Sequence, residues 1–523
     1  MDYDLIIIGA GINGAGIARD AAMRGLTVLL LDKNDLGSGT SSWSTRLIHG
    51  GLRYLELGEL SLVRESLRER ETLLKIAPHL VRPLPILIPI QEDSRRRKTT
   101  IRAGMIVYDL FSYRKSVPKH RMLSRAETLK QHPGLNPQGL LGAALYYDAQ
   151  IEFPERLVLE NVLSAREHGA EVLTYAKVER ISSDTDRNLT VSFESRGETQ
   201  QARAHIVVNA SGPWVDQVLE HNSFSQPRLI GGTKGSHVVV APFDGAPTNA
   251  IYLEARSDRR PFFVIPWNNN YLIGTTDVRF HGDPDSVRIE SWEANYLLNE
   301  TNQAFPEAKL TPDNVLYGYA GVRPLPHTKD KTEKKITRRH FLRRHPQCKN
   351  LISVVGGKLT TFRSLAEECV DLVYRMMGKR SPKCLTSKVR LPGAARLTSI
   401  DGAQISHNPL TEKVRMRQAR IYGLFGLDLA NMCLRKPELS EPISEEGDAI
   451  AAEIVFAFEH ELAATLTDCL MRRTMLGLNR DLGITAAEKA AKVARAHLGW
   501  TEDRLLKELS DYRAYLKRFA VGK

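Results

Sequence analysis

The first chemical signal in the sequence is a set of three glycines near the N-terminus. Gly9, Gly11 and Gly14 form a G-x-G-x-x-G pattern directly after an apolar run, and Asp32 ends the next apolar run. In such a pattern the first glycine permits a tight turn, the second lets the backbone approach a pyrophosphate, and the third lets a helix pack closely on a strand. An isolated motif can be a chance loop. Here the strand, the helix and the acid are all in register, so we predict dinucleotide binding.

Three basic residues lie in glycine-flanked turns, where a backbone can come near a ligand. They are Arg53 in Gly-Gly-Leu-Arg, Arg323 in Gly-Val-Arg-Pro and Lys358 in Gly-Gly-Lys. A phosphomonoester dianion needs several fixed cations, and the planar fork of arginine can make two parallel hydrogen bonds to it. The alternative for each residue is a surface ion pair, which is the more common outcome for any one of them alone.

Two histidines are candidates for a general base. His49 lies in a His-Gly-Gly turn and His237 in the segment KGSHVVV. Oxidation of an alcohol requires a base for the hydroxyl proton as the hydride departs, and an imidazole has a suitable pKa near neutral pH. The alternative is that either histidine packs against a cofactor or binds substrate without exchanging a proton. Tyr54, beside Arg53, is a candidate for orienting the substrate, with a core position as its alternative.

Apolar runs predict the elements that position these residues. Asp4 to Ile8 and Leu26 to Leu31 enclose an alanine-rich stretch from Gly14 to Met23, which predicts the strand, helix and strand of one βαβ unit. Further buried strands are predicted at Ile206 to Ala210 and at Leu351 to Val355. A single nucleotide-binding domain is therefore expected to be assembled from separated segments.

The remaining segments predict two other kinds of structure. Ser236 to Ala241, Phe262 to Pro266 and Tyr271 to Gly274 are short and β-branched or aromatic, which indicates a mostly antiparallel sheet. Towards the C-terminus, Ala, Leu, Glu and Arg recur with helical spacing, as in Glu453 to Leu470 and Ala486 to His497. We therefore predict an α/β protein (α+β overall), and at 523 residues it is too long for one core. Its expected divisions are 1–75, 140–230 and 335–385 for nucleotide binding, 76–139 and 231–334 for substrate binding, and 390–523 for a helical domain.

The composition excludes several classes of protein. Hydrophobic residues make up 42% and charged residues 26%, which excludes collagen-like, disordered and disulfide-scaffold proteins. The five cysteines show no C-x-x-C spacing, so neither a metal site nor a redox pair is predicted and a reducing compartment fits best. No apolar stretch approaches the roughly 20 residues needed to span a bilayer. The formal charge of +12 favours an anionic partner, whether a phosphorylated substrate, an anionic bilayer or nucleic acid.

One segment is a candidate for membrane contact. Four cations, Arg95 to Lys98, precede a largely apolar stretch that reaches Phe111 and is followed by Arg114 and Lys115. This arrangement is typical of an interfacial helix lying in an anionic leaflet. A buried helix with solvated charges at its ends is the alternative.

The stretch TSSWSTRLIHGGLRYLE, Thr40 to Glu56, resembles the segment that follows the dinucleotide unit in FAD-dependent glycerol 3-phosphate dehydrogenases. The resemblance covers nearly the whole chain and is weakest around Gln91 to Arg102 and Lys379 to Glu446. Further family-like segments, in the same order, are Ala210 to Asp216, Lys234 to Val240, Ile265 to Trp267, Gly274 to Asp277, Gly321 to Leu325, Gly356 to Arg363 and Asp468 to Leu478.

This resemblance implies a glutathione-reductase-type FAD-binding Rossmann domain, an antiparallel amino-acid-oxidase-like substrate domain and a helical cap. It implies hydride transfer from C2 of sn-glycerol 3-phosphate to N5 of FAD, giving dihydroxyacetone phosphate, with quinone as the usual acceptor. We therefore expect a cytoplasmic protein, peripheral on the inner face of the cell membrane at an anionic surface, with a homodimer as one assembly to test.

The resemblance also supports the three cations and the two histidines as catalytic and substrate-binding residues. The segment Gly356–Thr360 is expected to open a helix whose N-terminal N–H groups stabilise the anionic reduced flavin. Ser41 and Ser42 are expected to contact the cofactor, with a solvated loop as the alternative. The expected cofactor contacts are Gly9, Gly11, Asn13, Gly14, Asp32, Ser41, Ser42, His49, Gly50, Gly51, Gly212, Gly356, Gly357, Lys358, Leu359 and Thr360.

Three other functions compete with this one. The nearest is a glycerol-3-phosphate oxidase that uses oxygen, or another amino-acid-oxidase-like flavoenzyme with an unphosphorylated substrate. A basic, FAD-containing nucleic-acid-binding protein is a second, although the cations lie near glycine turns and one apolar segment and no nucleic-acid motif accompanies them. The third is a flavin fold that only binds. We predict the quinone-linked dehydrogenase, without a nucleic-acid partner.

Overall fold

A computed structural model gives the fold of the chain. It describes residues 2–56, 58–112, 115–183, 188–222, 227–328, 336–395, 409–444 and 448–521, with only the backbone of Arg53 and Glu56. Within these residues the chain forms two large sheets and a helical C-terminal region.

The first sheet carries the glycine motif. Ile8, at the end of its central strand, lies in parallel register with Asn209 on one side and Leu31 on the other. The strands are buried on both faces, as expected for a parallel sheet covered by helices. Among the described residues its eight strands are Asp2–Ile8, Val28–Leu31, Glu171–Leu173, Ala176–Ser183, Leu189–Ser195, Glu198–Asn209, Phe341–Arg344 and Leu351–Val355. The helices Ile12–Met23, Pro154–Glu167 and Phe362–Met376 share a core with it.

The second sheet is almost entirely antiparallel, as the alternating segments predict. The exception is the parallel pairing of Ala250–Glu254 with Val81–Gln91. In the described part of the chain its ten strands are Leu47–Ile48, Val81–Gln91, Arg121–Ser124, Leu140–Ile151, Thr233–Val240, Ala250–Glu254, Pro261–Trp267, Asn270–Gly274, Val278–Arg279 and Val315–Arg323. The helices Leu52–Glu56, Leu60–Ile76, Lys98–Phe111, Arg125–Gln131, Val215–His221 and Ser291–Ala304 connect the strands of the two sheets.

The C-terminal region is helical, as predicted, but one of the two stretches with helical spacing does not form a single helix. The stretch Glu453 to Leu470 is interrupted, because the first helix ends at Glu459 and Leu462 has a left-handed φ of 61°. A residue in that conformation cannot continue a right-handed helix. The described helices of this region are Pro392–Ala395, Glu412–Ile421, Phe425–Arg435, Ala451–Glu459, Leu466–Asp468, Ile484–Leu498 and Glu502–Leu516, with a π-helical turn at Cys469–Arg473.

The predicted fold class is confirmed, and two strands differ from the predicted division of the chain. Leu47–Ile48 and Leu140–Ile151 were both assigned from the sequence to the nucleotide-binding domain. They pair with each other in the second sheet, where Leu140–Ile151 also pairs with Val81–Gln91. The domain boundaries themselves stay a proposal. None of the helices in the described ranges combines the length and the hydrophobicity that a membrane span requires.

Candidate active site

The glycine motif forms a tight turn at the carboxyl ends of the parallel strands. Gly9 has a φ of 102°, and a Cβ atom on Gly14 would lie 1.8 Å from the carbonyl oxygen of Gly9. Both positions therefore require glycine, for backbone conformation and for close packing respectively. Asp32 accepts hydrogen bonds from the backbone N–H groups of Ala10 at 2.6 Å and Asn34 at 2.8 Å. Burial raises the pKa of Asp32 to about 6.

One cavity of about 780 Å³ joins this turn to the predicted catalytic side chains. A cavity of this size is in the range of small-molecule and cofactor sites. Its lining includes the following predicted residues: Gly9, Gly11, Asn13, Asp32, Ser41, His49, Gly51, Tyr54, Gly212, His237, Arg323, Gly356, Gly357, Lys358, Leu359 and Thr360. Two neighbouring cations that the sequence did not single out, Arg260 and Arg338, line it as well.

Lys358 and His49 lie on the side of the cavity formed by the Gly356–Thr360 turn. The Lys358 ammonium donates to Ser66 Oγ at 2.9 Å and stands 4.5 Å from the centroid of the Tyr54 ring. Burial lowers the pKa of Lys358 to about 7. Burial, and next the charge of Lys358, lower the pKa of His49 to about 3, so the imidazole is neutral near pH 7. Thr360 Oγ1 accepts the backbone N–H of His49 at 3.2 Å and fixes this turn.

His237 and Arg323 come from adjacent strands of the second sheet. His237 is buried, stacks on Tyr319 with ring centroids 4.9 Å apart, and has its Nε2 2.9 Å from Thr45 Oγ1. Its Nδ1 is buried and has no hydrogen-bond partner among the described residues. Burial, and next the charge of Arg323, hold the pKa of His237 well below its usual value. The cavity therefore presents two neutral imidazoles.

A cluster of arginines surrounds Asp277. Arg323 Nη1 lies 3.1 Å from Asp277 Oδ1, and Arg338 Nη2 lies 3.5 Å from Asp277 Oδ2. Arg260 donates to the Asp277 backbone carbonyl. Arg338 Nη1 is buried and has no hydrogen-bond partner in the described ranges. Arg323 and Arg338 carry two positive charges but share the single carboxylate of Asp277. The three side chains together therefore leave a net positive charge on the cavity wall.

Three of the predicted cofactor contacts, Gly14, Ser42 and Gly50, do not line the cavity, whereas Ser41 does. Ser42 is buried and donates to the Gly37 carbonyl at 2.7 Å, so it supports the loop. Ser41 lies at the cavity, and its Oγ accepts the Ile12 N–H at 3.0 Å. The Gly50 N–H faces the protein interior, 2.9 Å from Tyr108 Oη. Gly14 packs beneath Gly9. The side chain of Arg53 lies outside the described residues.

Comparison with known proteins identifies the family. Residues 4–371 match a family model described as FAD dependent oxidoreductase, and residues 384–505 match the C-terminal domain of alpha-glycerophosphate oxidase. A glycerol-3-phosphate dehydrogenase from Synechocystis sp. is 45% identical over 99% of this chain and 97% of its own length. The chain belongs to the FAD-dependent glycerol-3-phosphate dehydrogenase family.

Two other members of this family match along nearly their whole length. The aerobic glycerol-3-phosphate dehydrogenase of Escherichia coli is 36% identical over 96% of this chain and 98% of its own length. A crystal structure of the glycerol-3-phosphate dehydrogenase from Bacillus halodurans complexed with FAD covers 99% of this chain and 95% of its own, with 31% identity and a TM-score of 0.77. The predicted family, cofactor class and three-part architecture are thereby confirmed.

The residues present fit the cofactor of the family. Asp32 and Gly9 both line the cavity, where Asp32 would accept ribose hydroxyls and the Gly9 turn would face the pyrophosphate of a bound dinucleotide. Two buried polar atoms at the cavity, Asn13 Oδ1 and Trp214 Nε1, have no hydrogen-bond partner within the described part of the chain. Buried polar groups of this kind normally find a partner, and the amide, phosphate and hydroxyl groups of a flavin dinucleotide would supply one.

Proposed function

We propose that this chain oxidises sn-glycerol 3-phosphate to dihydroxyacetone phosphate, and that bound FAD accepts the hydride from C2 and passes the electrons to a quinone. The observation that carries the proposal is the single cavity that unites the dinucleotide turn, two neutral histidines and the cations Arg323, Arg338 and Lys358. The family membership supports it.

The phosphate group of the substrate is assigned to these three cations. Arg323 is held by Asp277 and by Thr275 Oγ1 at 3.0 Å, which fixes its guanidinium before any ligand arrives. Arg338 has a buried N–H group that can donate to the phosphate, and the ammonium of Lys358 is the third donor. Hydrogen bonds between charged partners contribute about 1.5–3 kcal/mol each, so a phosphate ester binds here far better than the same alcohol without phosphate.

The hydroxyl proton is assigned to a histidine. A base must be neutral before the reaction, and burial makes both His49 and His237 neutral near pH 7. His237 has Nε2 engaged by Thr45 and Nδ1 enclosed. No hydrogen bond to the His49 imidazole is found among the residues described, although this side chain lines the cavity. We therefore assign proton acceptance to His49 first, with His237 as the second candidate.

The turn before the helix Phe362–Met376 is assigned to the isoalloxazine. Gly356 and Gly357 have φ values of 80° and 101°, which only glycine adopts readily. The short turn Leu359–Thr361 then leads into the helix. The partial positive charge of such an N-terminus favours negative charge on a bound ring.

Anaerobic titration tests the substrate assignment. The purified yellow protein is mixed with sn-glycerol 3-phosphate without oxygen, and bleaching of the visible flavin absorption is followed. Glycerol and an amino acid serve as controls. Bleaching by glycerol 3-phosphate at a concentration at which neither control bleaches the flavin supports the proposal. Bleaching by another alcohol or an amine, without a response to glycerol 3-phosphate, contradicts it. Reoxidation by a quinone and by air, compared in the same cuvette, separates a dehydrogenase from an oxidase.

Membrane contact is assigned to the helix Lys98–Phe111. Its side chains Ile106, Val107 and Leu110, here called the apolar patch, are 53%, 37% and 68% exposed, which suits partial burial in a lipid interface. Met105 and Tyr108, which the sequence placed on the same apolar face, are buried against the protein. The inner face of the cell membrane and a homodimer remain parts of the proposal.

Vesicle flotation tests the apolar patch. Leu110→Asp together with Ile106→Asp is expected to abolish binding to vesicles rich in anionic lipid, because a charge replaces apolar contact at the interface. Leu506→Asp, at a 57% exposed position on the C-terminal helix Glu502–Leu516, is the matched control and should bind normally. Equal binding of both variants would assign the contact to another surface.

A further inference from the structure

Two consecutive arginines of the C-terminal domain reach into the nucleotide-binding domain. Arg472 and Arg473 lie on the π-helical turn Cys469–Arg473 and are buried. Arg473 meets the Asp35 carboxylate with two N–H groups, at 2.6 and 2.9 Å, and Arg472 Nε lies 2.5 Å from the same carboxylate. Asp35 itself is 1% exposed. This is a bidentate pair and a third charge in one buried site, with its geometry set by planar guanidinium groups.

The segment that these arginines hold is the one that carries Asp32. Asp35 follows Asp32 by three residues. Because Asn34 donates its backbone N–H to Asp32 Oδ1 at 2.8 Å, a shift of this turn moves the carboxylate assigned to the ribose. Asp32 also accepts the Ala176 N–H at its carbonyl, at 2.7 Å, and so is tied to the strand that begins there.

A second set of hydrogen bonds, through Tyr175, connects the C-terminal domain to the same turn. Tyr175 donates its hydroxyl to the Asp468 carboxylate at 2.7 Å, and its backbone N–H to the Asn34 carbonyl at 3.2 Å. Arg472 Nη2 lies 2.6 Å from Asp468, which closes the network. Tyr175 has a left-handed φ of 54°. A residue other than glycine keeps that conformation only where its surroundings hold it, and the Asp468 and Asn34 contacts do so.

Other buried ion pairs of the C-terminal domain do not touch this turn. Arg156 pairs with Glu461 of the C-terminal domain at 2.7 Å, and Arg417 pairs with Glu453 within that domain. A buried pair is by itself weak grounds for added stability. The Asp35 site differs from these pairs because it lies three residues after Asp32, the carboxylate assigned to the ribose.

We propose that Arg472, Arg473, Asp468 and Tyr175 form a latch through which the C-terminal domain positions the adenosine half of bound FAD. Tyr175, Asp468 and Arg472 also line the cavity, and we assign them as positioning residues that act through Asp35 and the Asp32 turn. The latch predicts that the C-terminal domain controls how long the cofactor stays bound, while the substrate pocket at Lys358 and Arg323 is unaffected. It needs only that the chain binds FAD, and it holds whichever substrate is oxidised.

Tyr175→Phe is the variant of choice, because it keeps the ring and removes only the hydroxyl that reaches Asp468. The holoenzyme is diluted and FAD release is followed by the rise in flavin fluorescence. Loss of a hydrogen bond to a charged group should accelerate release about tenfold. The KM for glycerol 3-phosphate, measured with FAD in excess, should remain within twofold of wild type.

Tyr512→Phe is the matched control. Tyr512, on the helix Glu502–Leu516, donates to the Leu482 carbonyl at 2.6 Å and lies 3.8 Å from Met471 Sδ, and among the described residues it has no hydrogen bond to Asp35, Asp468 or the Asp32 turn. It should lower the melting temperature without changing FAD release. Arg472→Lys is the second test, since one ammonium cannot bridge Asp35 and Asp468 as the guanidinium does, and it should accelerate release as well. Unchanged release in Tyr175→Phe, or equal acceleration in Tyr512→Phe, would overturn the latch.

Discussion

Lys358 offers the sharpest test of the phosphate assignment, because its charge changes within the pH range of an enzyme assay. Burial lowers the pKa of Lys358 to about 7, against the partly compensating charges of Asp148 and Glu65. A lowered lysine pKa means that the cation is present below pH 7 and is lost as the pH rises above it. The charged fraction should therefore be about 90% at pH 6, 50% at pH 7 and 10% at pH 8.

The phosphate titrates in the opposite direction. With a second pKa of about 6, the ester becomes a dianion between pH 5 and pH 7, while Lys358 loses its charge between pH 6 and pH 8. Binding should therefore peak between about pH 6 and pH 7 and weaken roughly fivefold by pH 8. Lys358→Arg keeps its charge and should remove this alkaline loss. Lys358→Gln should weaken binding about 10- to 100-fold at pH 6.5.

The assay is inhibition by glycerol 2-phosphate, a phosphate ester without the secondary alcohol. Its inhibition constant reports phosphate binding without proton or hydride transfer, so changes at the histidines do not enter. The inhibition constant is measured from pH 5.5 to pH 8.5 for wild type and for both variants. A constant that stays flat above pH 7 in wild type, or an alkaline loss that persists in Lys358→Arg, would refute the assignment of Lys358 to the phosphate.

Two further predictions concern the cofactor turn and the base. Burial raises the pKa of Asp32 to about 6, so FAD release should become faster as the pH falls below 6 and the carboxylate takes up a proton. Asp32→Asn should release FAD faster at pH 7 and lose this pH dependence, as measured by flavin fluorescence. His49→Ala should slow anaerobic flavin reduction about 10²- to 10⁴-fold, and His237→Ala less. A larger loss of rate in His237→Ala than in His49→Ala would assign the proton to His237.

The nucleotide unit was predictable because its signals are local. The strand expected at Asp4 to Ile8 is observed at Asp2–Ile8, and the helix expected from Gly14 begins at Ile12. A buried parallel strand needs continuous apolar residues, and the turn after it needs glycine. Both requirements can be read from neighbouring residues without knowing the rest of the fold.

Arg338 was not predictable in the same way. It lies in the run ITRRH, where neighbouring cations look alike and no glycine marks a turn. What distinguishes it is Asp277, whose carboxylate it shares with Arg323, and this contact joins residues 61 positions apart. Sequence reasoning finds such a residue only when the loop that carries Asp277 is already placed. The interruption at Leu462 could not be predicted either, because the helical spacing of the apolar residues continues through it.

The cations assigned to the phosphate also contribute to the lowered pKa values of the two histidines. Lys358 helps to lower the pKa of His49, and Arg323 that of His237, with burial the larger cause in each case. A phosphate dianion bound at these cations would offset their part of the shift, so we expect the pKa of the imidazole to rise when the phosphate binds. Glycerol lacks the phosphate, so it makes no phosphate contacts with these cations and does not raise the basicity of the imidazole. We therefore expect glycerol to show a lower maximal rate of flavin reduction as well as weaker binding. The reason is that the binding energy of the phosphate is then not available to lower the barrier of hydride transfer. Stopped-flow reduction at saturating glycerol checks this, and a maximal rate equal to that with glycerol 3-phosphate would show that the phosphate only binds.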